Sequence, residues 1–200
     1  MKKILIAIAF IACGLATATA QSAKQVLDKC AQTVSNKDGV QANFTMTSAQ
    51  YGSASGTISV KGRMFNASTS QATMWFDGKT LWTYMAKTDE VNVTNPTEAQ
   101  LQSLNPYNFI NLYKQGFKYT MTKSDKSFNV HLTATDQKRK IRELFITVDK
   151  TTWQPTEVKM LQNAKWTTFT ITNLKATKFA DTIFRFNSKD FPSAEVIDLR

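Results

Sequence analysis

The side chains that most often perform acid–base or nucleophilic chemistry are scarce in this chain. His131 is the single histidine, and Cys13 and Cys30 are the two cysteines. His131 alternates with Val130 and Leu132, which predicts a strand with the imidazole at the surface or rim. Cys30 falls on an apolar stripe at helical spacing and is predicted to be a small core residue. No ligand spacing for a metal, glycine-rich phosphate loop or Gly-x-Ser-x-Gly elbow occurs.

Carboxylates are scattered along the chain. Because folding can bring distant residues together, a catalytic acid/base pair among them is kept as an alternative. The candidates are Asp77, Glu90, Glu98, Asp136 and Glu143. With no cluster of titratable residues in view, the prediction is a protein that is not an enzyme and that needs no cofactor or metal.

Charge points to anionic partners. The formal net charge is +10, and a basic run spans Lys138 to Arg142, where a hairpin turn is expected. A solvated charge cluster is the usual reading of such a run, and a phosphate or nucleic-acid site is the rarer one. The aromatic side chains that would suit base or sugar stacking, or equally a core or a cavity wall, are Trp75, Trp82, Phe145, Trp153 and Trp166.

The first residues predict export. Lys2 and Lys3 precede an apolar run that ends near Leu15, and Ala18-Thr19-Ala20 offers a cleavage site, as in a Sec-type signal peptide. Cleavage after Ala20 would remove two of the positive charges. Residues 21–200 are then expected to form one domain in the periplasm of a Gram-negative bacterium, where nucleic acid is not an expected partner. The alternative is a lipoprotein acylated at Cys13.

Hydrophobic periodicity predicts a mainly β fold with helices. A capping box at Ser22 and Gln25 opens an amphipathic helix that stops near Asn36 to Gly39. From Val40 onward the period changes to two, which predicts one large antiparallel sheet, closed or partly closed as a barrel, or a sandwich. The further predicted strands are 54–61, 63–68, 72–76, 80–85, 90–94, 117–122, 128–134, 141–148, 156–161, 166–174 and 183–186.

Two short helices interrupt the strand pattern. Asn95-Pro96 and Asn105-Pro106 each place a capping residue before a proline suited to the first helical turn. Residues 97–104 and 106–115 are therefore predicted to be helical. The second segment is rich in large apolar side chains, which favours a role in covering an opening of the sheet.

The stretch from Met74 to Tyr84 is apolar on both of its faces. Asp77-Gly78 predicts a two-residue hairpin turn with positive φ at both positions. In the strand that follows, Leu81 lies on one face and Trp82 on the other. One face is expected to line a cavity and the other to pack outside, and the sequence does not decide which is which.

The same stretch resembles a family. DGKTLW at residues 77–82, followed by Tyr84, is similar to a segment of the LolA-type outer-membrane lipoprotein carrier proteins. Other landmarks of that family follow in order over most of the chain. They are Val40–Thr45, Gly56–Lys61 with Phe65, Asn105–Leu112, and Phe184–Phe186 with Pro192 and Val196.

The resemblance implies a fold and a function. It implies a single curved antiparallel sheet forming an incomplete β-barrel, covered by an N-terminal helix and short lid helices around a hydrophobic cavity. Such proteins are periplasmic carriers that take acylated lipoproteins from an inner-membrane ABC transporter to the outer membrane or an acceptor there, and a monomer is expected.

The resemblance also implies site residues. Acyl chains would be held by Phe44, Met46, Phe65, Met74, Leu81, Trp82, Tyr84, Tyr107, Phe109 and Ile110. The family's lid-closing arginine directly follows its V-K pair; here Gly62 occupies that position, and Arg63 comes next as the expected latch. The alternatives are a sensor or binding module of the same fold, an acceptor lipoprotein if Cys13 is lipidated, and a basic oligonucleotide or glycan binder.

Overall fold

The computed structural model describes residues 21–50, 52–98, 100–101 and 112–200. The predicted signal peptide, Cys13 and most of the second predicted lid helix lie outside these residues. The described chain is one helix and twelve strands, together with 3-10 turns at Asp181–Phe184 and Ser188–Asp190. The elements are α1 Ala23–Val34, β1 Val40–Ser48, β2 Gly52–Lys61, β3 Met64–Thr69, β4 Ala72–Phe76, β5 Leu81–Met85, β6 Glu90–Thr94, β7 Phe117–Lys123, β8 Ser127–Ala134, β9 Ile141–Asp149, β10 Pro155–Gln162, β11 Lys165–Ala176 and β12 Glu195–Asp198.

Helix α1 begins at the predicted capping box. The Ser22 hydroxyl accepts from the Gln25 amide at 3.2 Å, and the Gln25 side chain accepts from the Ser22 amide at 2.8 Å. Its buried stripe includes Leu27 and Cys30, both fully buried. Burial raises the pKa of the Cys30 thiol to about 12, so this cysteine is an inert core residue, as predicted. No helix in the described residues is long and apolar enough to cross a membrane.

All twelve strands belong to one curved, open sheet, which confirms the predicted mainly β class. Their order is β12-β6-β5-β4-β3-β2-β1-β11-β10-β9-β8-β7. Neighbours pair antiparallel, except that β12 runs parallel to β6. The sheet therefore consists of two meanders, β1–β6 and β7–β11, which are joined where β1 pairs with β11. Among the described strands β12 and β7 are the two edges, so the sheet is not closed.

The main hydrophobic core lies on one face of this sheet, here called the inner face. Helix α1 packs against that face near β7 and β8. Cross-strand neighbours continue the core, as where Val60 pairs with Phe65, Phe65 with Phe76, and Phe76 with Leu81. Leu101 is also buried in this core. The opposite face is called the outer face.

The β4–β5 turn differs from the predicted one. Phe76 pairs directly with Leu81, so four residues form the connection instead of two. The Asp77 carboxylate accepts hydrogen bonds from the amides of Lys79 at 3.0 Å and Thr80 at 2.9 Å. Of these four turn residues, only Gly78 has a positive φ, of 98°. The prediction of positive φ at both turn positions was wrong, because the Asp77 side chain stabilises a longer turn.

The C-terminal segment also differs from prediction. Residues 183–186, predicted as a strand, lie at the end of a 3-10 turn and just after it. We call residues 177–200 the strap, because they cross the outer face of β3–β5 before β12 pairs with β6. Lys61 attaches the start of the strap: its Nζ donates to the Phe179 carbonyl at 3.0 Å and to Asp181 at 2.8 Å.

Candidate apolar-ligand site on the inner face

The floor of the candidate site consists of buried aromatic and aliphatic side chains on the inner face. Phe65 is fully buried, and its ring centroid lies 5.5 Å from that of Phe76. Leu81 is the next neighbour along this row. A ligand would meet this row only after other side chains had moved, so Phe65 and Leu81 form the base of the site rather than its accessible wall.

The accessible wall is made by apolar side chains that are only partly buried. Phe44 and Met46 on β1 and Met74 on β4 pack against the core in this way. Tyr119 and Met121 on β7 do the same from the opposite edge of the sheet. Methionine is unbranched and polarizable, so three of these five side chains can adapt to apolar groups of different shape.

Trp82 and Tyr84 do not join this wall. Trp82 pairs with Trp75 across the hairpin, and Trp75 lies on the outer face. Tyr84 contacts Phe191 of the strap, with ring centroids 4.6 Å apart. The predicted set therefore divides, since the structure brings Met74 and Leu81 to the inner face and Trp82 and Tyr84 to the outer one.

Arg63, the predicted latch, lies in the turn between β2 and β3 and forms an ion pair with Glu98. Glu98 belongs to the first turn of the segment between β6 and β7. The side chain of Arg63 is 65% exposed and that of Glu98 is 71% exposed. Exposed pairs stabilise a fold by about 0–1 kcal/mol, so this contact is suited to a tether that opens easily.

The start of the same segment is capped differently from the prediction. Thr97, and not Asn95, begins the helical turn: the Leu101 amide donates to the Thr97 carbonyl at 3.0 Å. The Gln100 side chain accepts from the Thr97 amide at 2.8 Å. Asn95 instead accepts from the Thr80 hydroxyl at 3.1 Å. The capping residue therefore lies two residues later than the Asn95-Pro96 signal predicted, although the helical turn begins where it was expected.

The far end of the segment is fastened to α1. Tyr113 is buried, and its hydroxyl donates to Asp28 Oδ1 at 2.8 Å. Lys24 donates to the other carboxylate oxygen at 2.8 Å. The hydrogen bond from Lys24, with a further one from Tyr113, lowers the pKa of Asp28. Burial, with the hydrogen bond to Asp28, raises the pKa of Tyr113.

Three predicted site residues, Tyr107, Phe109 and Ile110, lie outside the described residues. The residues on either side, Leu101 and Leu112, are both buried in the inner core. Tyr119 and Met121 were missed by the prediction, although their alternation with Lys118 and Thr120 marks them as one face of a strand. In the described part of the chain no group of three or more His, Cys, Asp or Glu residues is placed to hold a metal.

An open sheet with a partly exposed apolar inner face is suited to binding apolar ligands. Over residues 14–164 the sequence matches the family described as outer membrane lipoprotein carrier protein LolA. The chain belongs to that family, as the resemblance of the hairpin predicted. No curated protein matches the chain.

The chain is similar to several solved structures at low sequence identity, and the first of those below, with a TM-score above 0.5, shares its fold. An uncharacterized conserved protein from Thermus thermophilus is 12% identical, with a TM-score of 0.59 and coverage of 89% of this chain and 99% of that chain. A LolA superfamily protein from Nitrosomonas europaea is 12% identical, with a TM-score of 0.46 and coverage of 84% and 99%. LprF from Mycobacterium bovis is 11% identical, with a TM-score of 0.44 and coverage of 80% and 96%.

Proposed function

We propose that this protein is a periplasmic carrier that binds the acyl chains of lipoproteins on its inner face and delivers them to the outer membrane. In this proposal residues 1–20 direct export, and residues 21–200 are the carrier domain. An inner-membrane ABC transporter would supply the cargo, and the outer membrane or an acceptor there would receive it.

The observation that carries the proposal is the partly exposed apolar wall. Phe44, Met46 and Met74 lie beside the buried core of the inner face. The described ends of the segment between β6 and β7, at Leu101 and Leu112, are buried in the same core. Membership of the LolA family supports the same reading. Burial of an acyl chain contributes about 0.8 kcal/mol per methylene group, so such a wall would hold a lipid anchor strongly even without polar contacts.

Delivery requires that the carrier also lets its cargo go. The exposed ion pair of Arg63 and Glu98 is a weak closure, and adaptable methionine side chains make few specific contacts. We infer that cargo is transferred when an acceptor that buries the acyl chains more favourably is present. Release then requires no nucleotide bound to this chain.

The test is a binding titration with a fluorescently labelled triacylated lipopeptide. Phe44→Glu should weaken binding by more than about tenfold, because cargo would desolvate the new carboxylate. Thr45→Glu is the matched control, since Thr45 is the next residue of β1 and is exposed on the outer face. Equal affinities of the two folded variants would rule out the inner face as the binding site. Native mass spectrometry of protein taken from its own cells would then identify the cargo.

A further inference from the structure

Among the described residues, a cover is present on one side of the outer face of the sheet. The strap covers the β3–β5 side, where Trp75 contacts Phe186 at 5.6 Å and Phe191 at 5.4 Å between ring centroids. On the β8–β11 side, Phe145 and Trp166 remain half-buried. Within the described residues, the aromatic contacts of the strap are with β4, with β5 and within the strap itself.

The uncovered side carries an ordered row of rings and charges. The rings of His131 and Phe145 are parallel within 4°, with centroids 4.0 Å apart. Phe145 and Trp166 are 5.8 Å apart, and Lys159 Nζ lies 4.7 Å from the centroid of the Trp166 ring. Glu143 lies 2.9 Å from the His131 ring nitrogen. These contacts hold flat apolar groups beside a cation at the surface.

The row leads to a strongly basic end of the sheet. Phe117 pairs with Ala134, and Gln162 pairs with Ile141, so residues 112–118, 134–144 and 159–168 meet at the same end. These three segments contain eight lysines and arginines and two acidic residues. The excess of six cations is most of the net charge of the chain, so the charge is concentrated here. The exposed members in or beside the β8–β9 loop and the β10–β11 turn are Lys138, Lys140, Arg142 and Lys165.

We propose that this basic–aromatic surface, made of Phe145, Lys159 and Trp166 with the four exposed cations, docks the protein on an anionic phospholipid bilayer. Lysine and arginine near such a surface each contribute about 1 kcal/mol of attraction. Tryptophan favours the boundary between headgroups and acyl chains, where an apolar ring meets a polar layer.

The arrangement of the cations favours a membrane over the other anionic partners. They come from separate elements at one end of the sheet: Lys138 and Lys140 from the β8–β9 loop, Arg142 from the start of β9 and Lys165 from the start of β11. A flat layer of headgroups can contact all of them together, whereas a single nucleic-acid strand needs a basic groove that follows its backbone. The rings of Phe145 and Trp166 are on the face opposite the acyl-binding wall, and the four cations lie at the end of the sheet beside them, so this inference does not depend on the proposed cargo.

The test is co-sedimentation of the purified protein with vesicles of phosphatidylglycerol and phosphatidylcholine in equal parts. The protein should bind these vesicles, bind vesicles of phosphatidylcholine alone far more weakly, and dissociate as salt is added. In the double variant Lys140→Gln with Lys165→Gln the partition coefficient should fall about 25-fold. Arg139 is left unchanged, because it donates to the Gln115 carbonyl at 2.9 Å and has a structural role.

The matched control is the double variant Lys37→Gln with Lys126→Gln. It removes the same charge from exposed lysines at the opposite end of the sheet and should leave binding within about twofold of the wild type. Trp166→Ala should weaken binding while keeping the salt dependence. Equal losses in the two double variants, or no binding to the anionic vesicles, would overturn the proposal. A third outcome would assign the surface to a protein partner instead. In that case the protein would not bind vesicles but would be retained on an acidic protein column, and only the double variant Lys140→Gln with Lys165→Gln would lose this retention.

Discussion

Trp75 and Phe76 are consecutive in β4, yet they belong to two separate hydrophobic clusters. Phe76 packs against Phe65 in the inner core, and Trp75 packs against Phe186 and Phe191 of the strap. Adjacent residues of a strand point to opposite faces, so this hairpin must be covered on both sides. The strap supplies the second cover.

The first prediction concerns that cover. Phe191→Ala should lower the free energy of unfolding by about 2 kcal/mol, because a half-buried ring that contacts Trp75 and Tyr84 is lost. Urea denaturation followed by tryptophan fluorescence measures the change. Val196→Ala is the control: Val196 is 51% exposed, so its loss should matter little. Equal effects of the two substitutions would show that the strap is not held by its rings.

The second prediction concerns the close approach of β2 and β3. A Cβ atom added at Gly56 would lie 1.9 Å from the Ser68 carbonyl oxygen. Gly56→Ala should therefore cost more than about 2 kcal/mol of stability and reduce the soluble yield. Gly62→Ala is the comparison, because Gly62 has a φ of 59° but open space around it, and it should cost about 1 kcal/mol. Thermal unfolding distinguishes them, and a milder effect at Gly56 would contradict the packing described.

The third prediction is a pH dependence. The hydrogen bond from Lys24, together with that from Tyr113, lowers the pKa of Asp28 in the folded protein. A lowered pKa contributes stability above the unfolded-state pKa of about 3.9, and that stability is lost as the pH falls through the folded-state pKa. Asp28→Asn should cost about 1 kcal/mol at neutral pH. The cost should shrink below about pH 4.

Urea unfolding of Asp28→Asn and the wild type across a pH series tests this. The two stability curves should converge in acid. A constant difference at every pH would mean that the substitution acts through packing rather than through the charge of Asp28.

The fourth prediction concerns the ion pair of Arg63 and Glu98, and it rests on the proposed function. Arg63→Glu should change the free energy of unfolding by less than about 1 kcal/mol, because both side chains are exposed. It should nevertheless speed the transfer of lipopeptide to acceptor vesicles, since like charges would separate the two segments. Adding Glu98→Arg should restore the wild-type rate. If neither substitution changes the rate of lipopeptide transfer, the ion pair has no role in release.

Local rules predicted much of this fold. The capping box at Ser22 is present because its two hydrogen bonds need only four neighbouring residues. The alternation in β7 to β10 predicted the strands there because one face of each is buried against a core. Cys30 was placed correctly for the same reason, since helical spacing alone put it on the apolar stripe.

The errors arose where distant residues decide the outcome. Phe184-Arg185-Phe186 alternates as a strand would, but Phe184 ends a 3-10 turn and Phe186 packs against Trp75, so Phe184 is buried and Phe186 half-buried without strand pairing. Alternation placed Leu81 on one face and Trp82 and Tyr84 on the other, but it did not tell which face lines a cavity. That depends on the strap, about a hundred residues further along the chain, which contacts Tyr84 on the outer face.

The pairing of β1 with β11 has a consequence for the order of folding. The contacts within β1–β6 and within β7–β11 are local, whereas Val40 meets Ala176 only after a long loop is closed. Closure of long loops slows folding. During synthesis or export, one edge of β1 stays unpaired until β11 is available. An exposed strand edge can pair with other chains. We therefore expect nascent forms lacking β11 to be the species most dependent on holding chaperones.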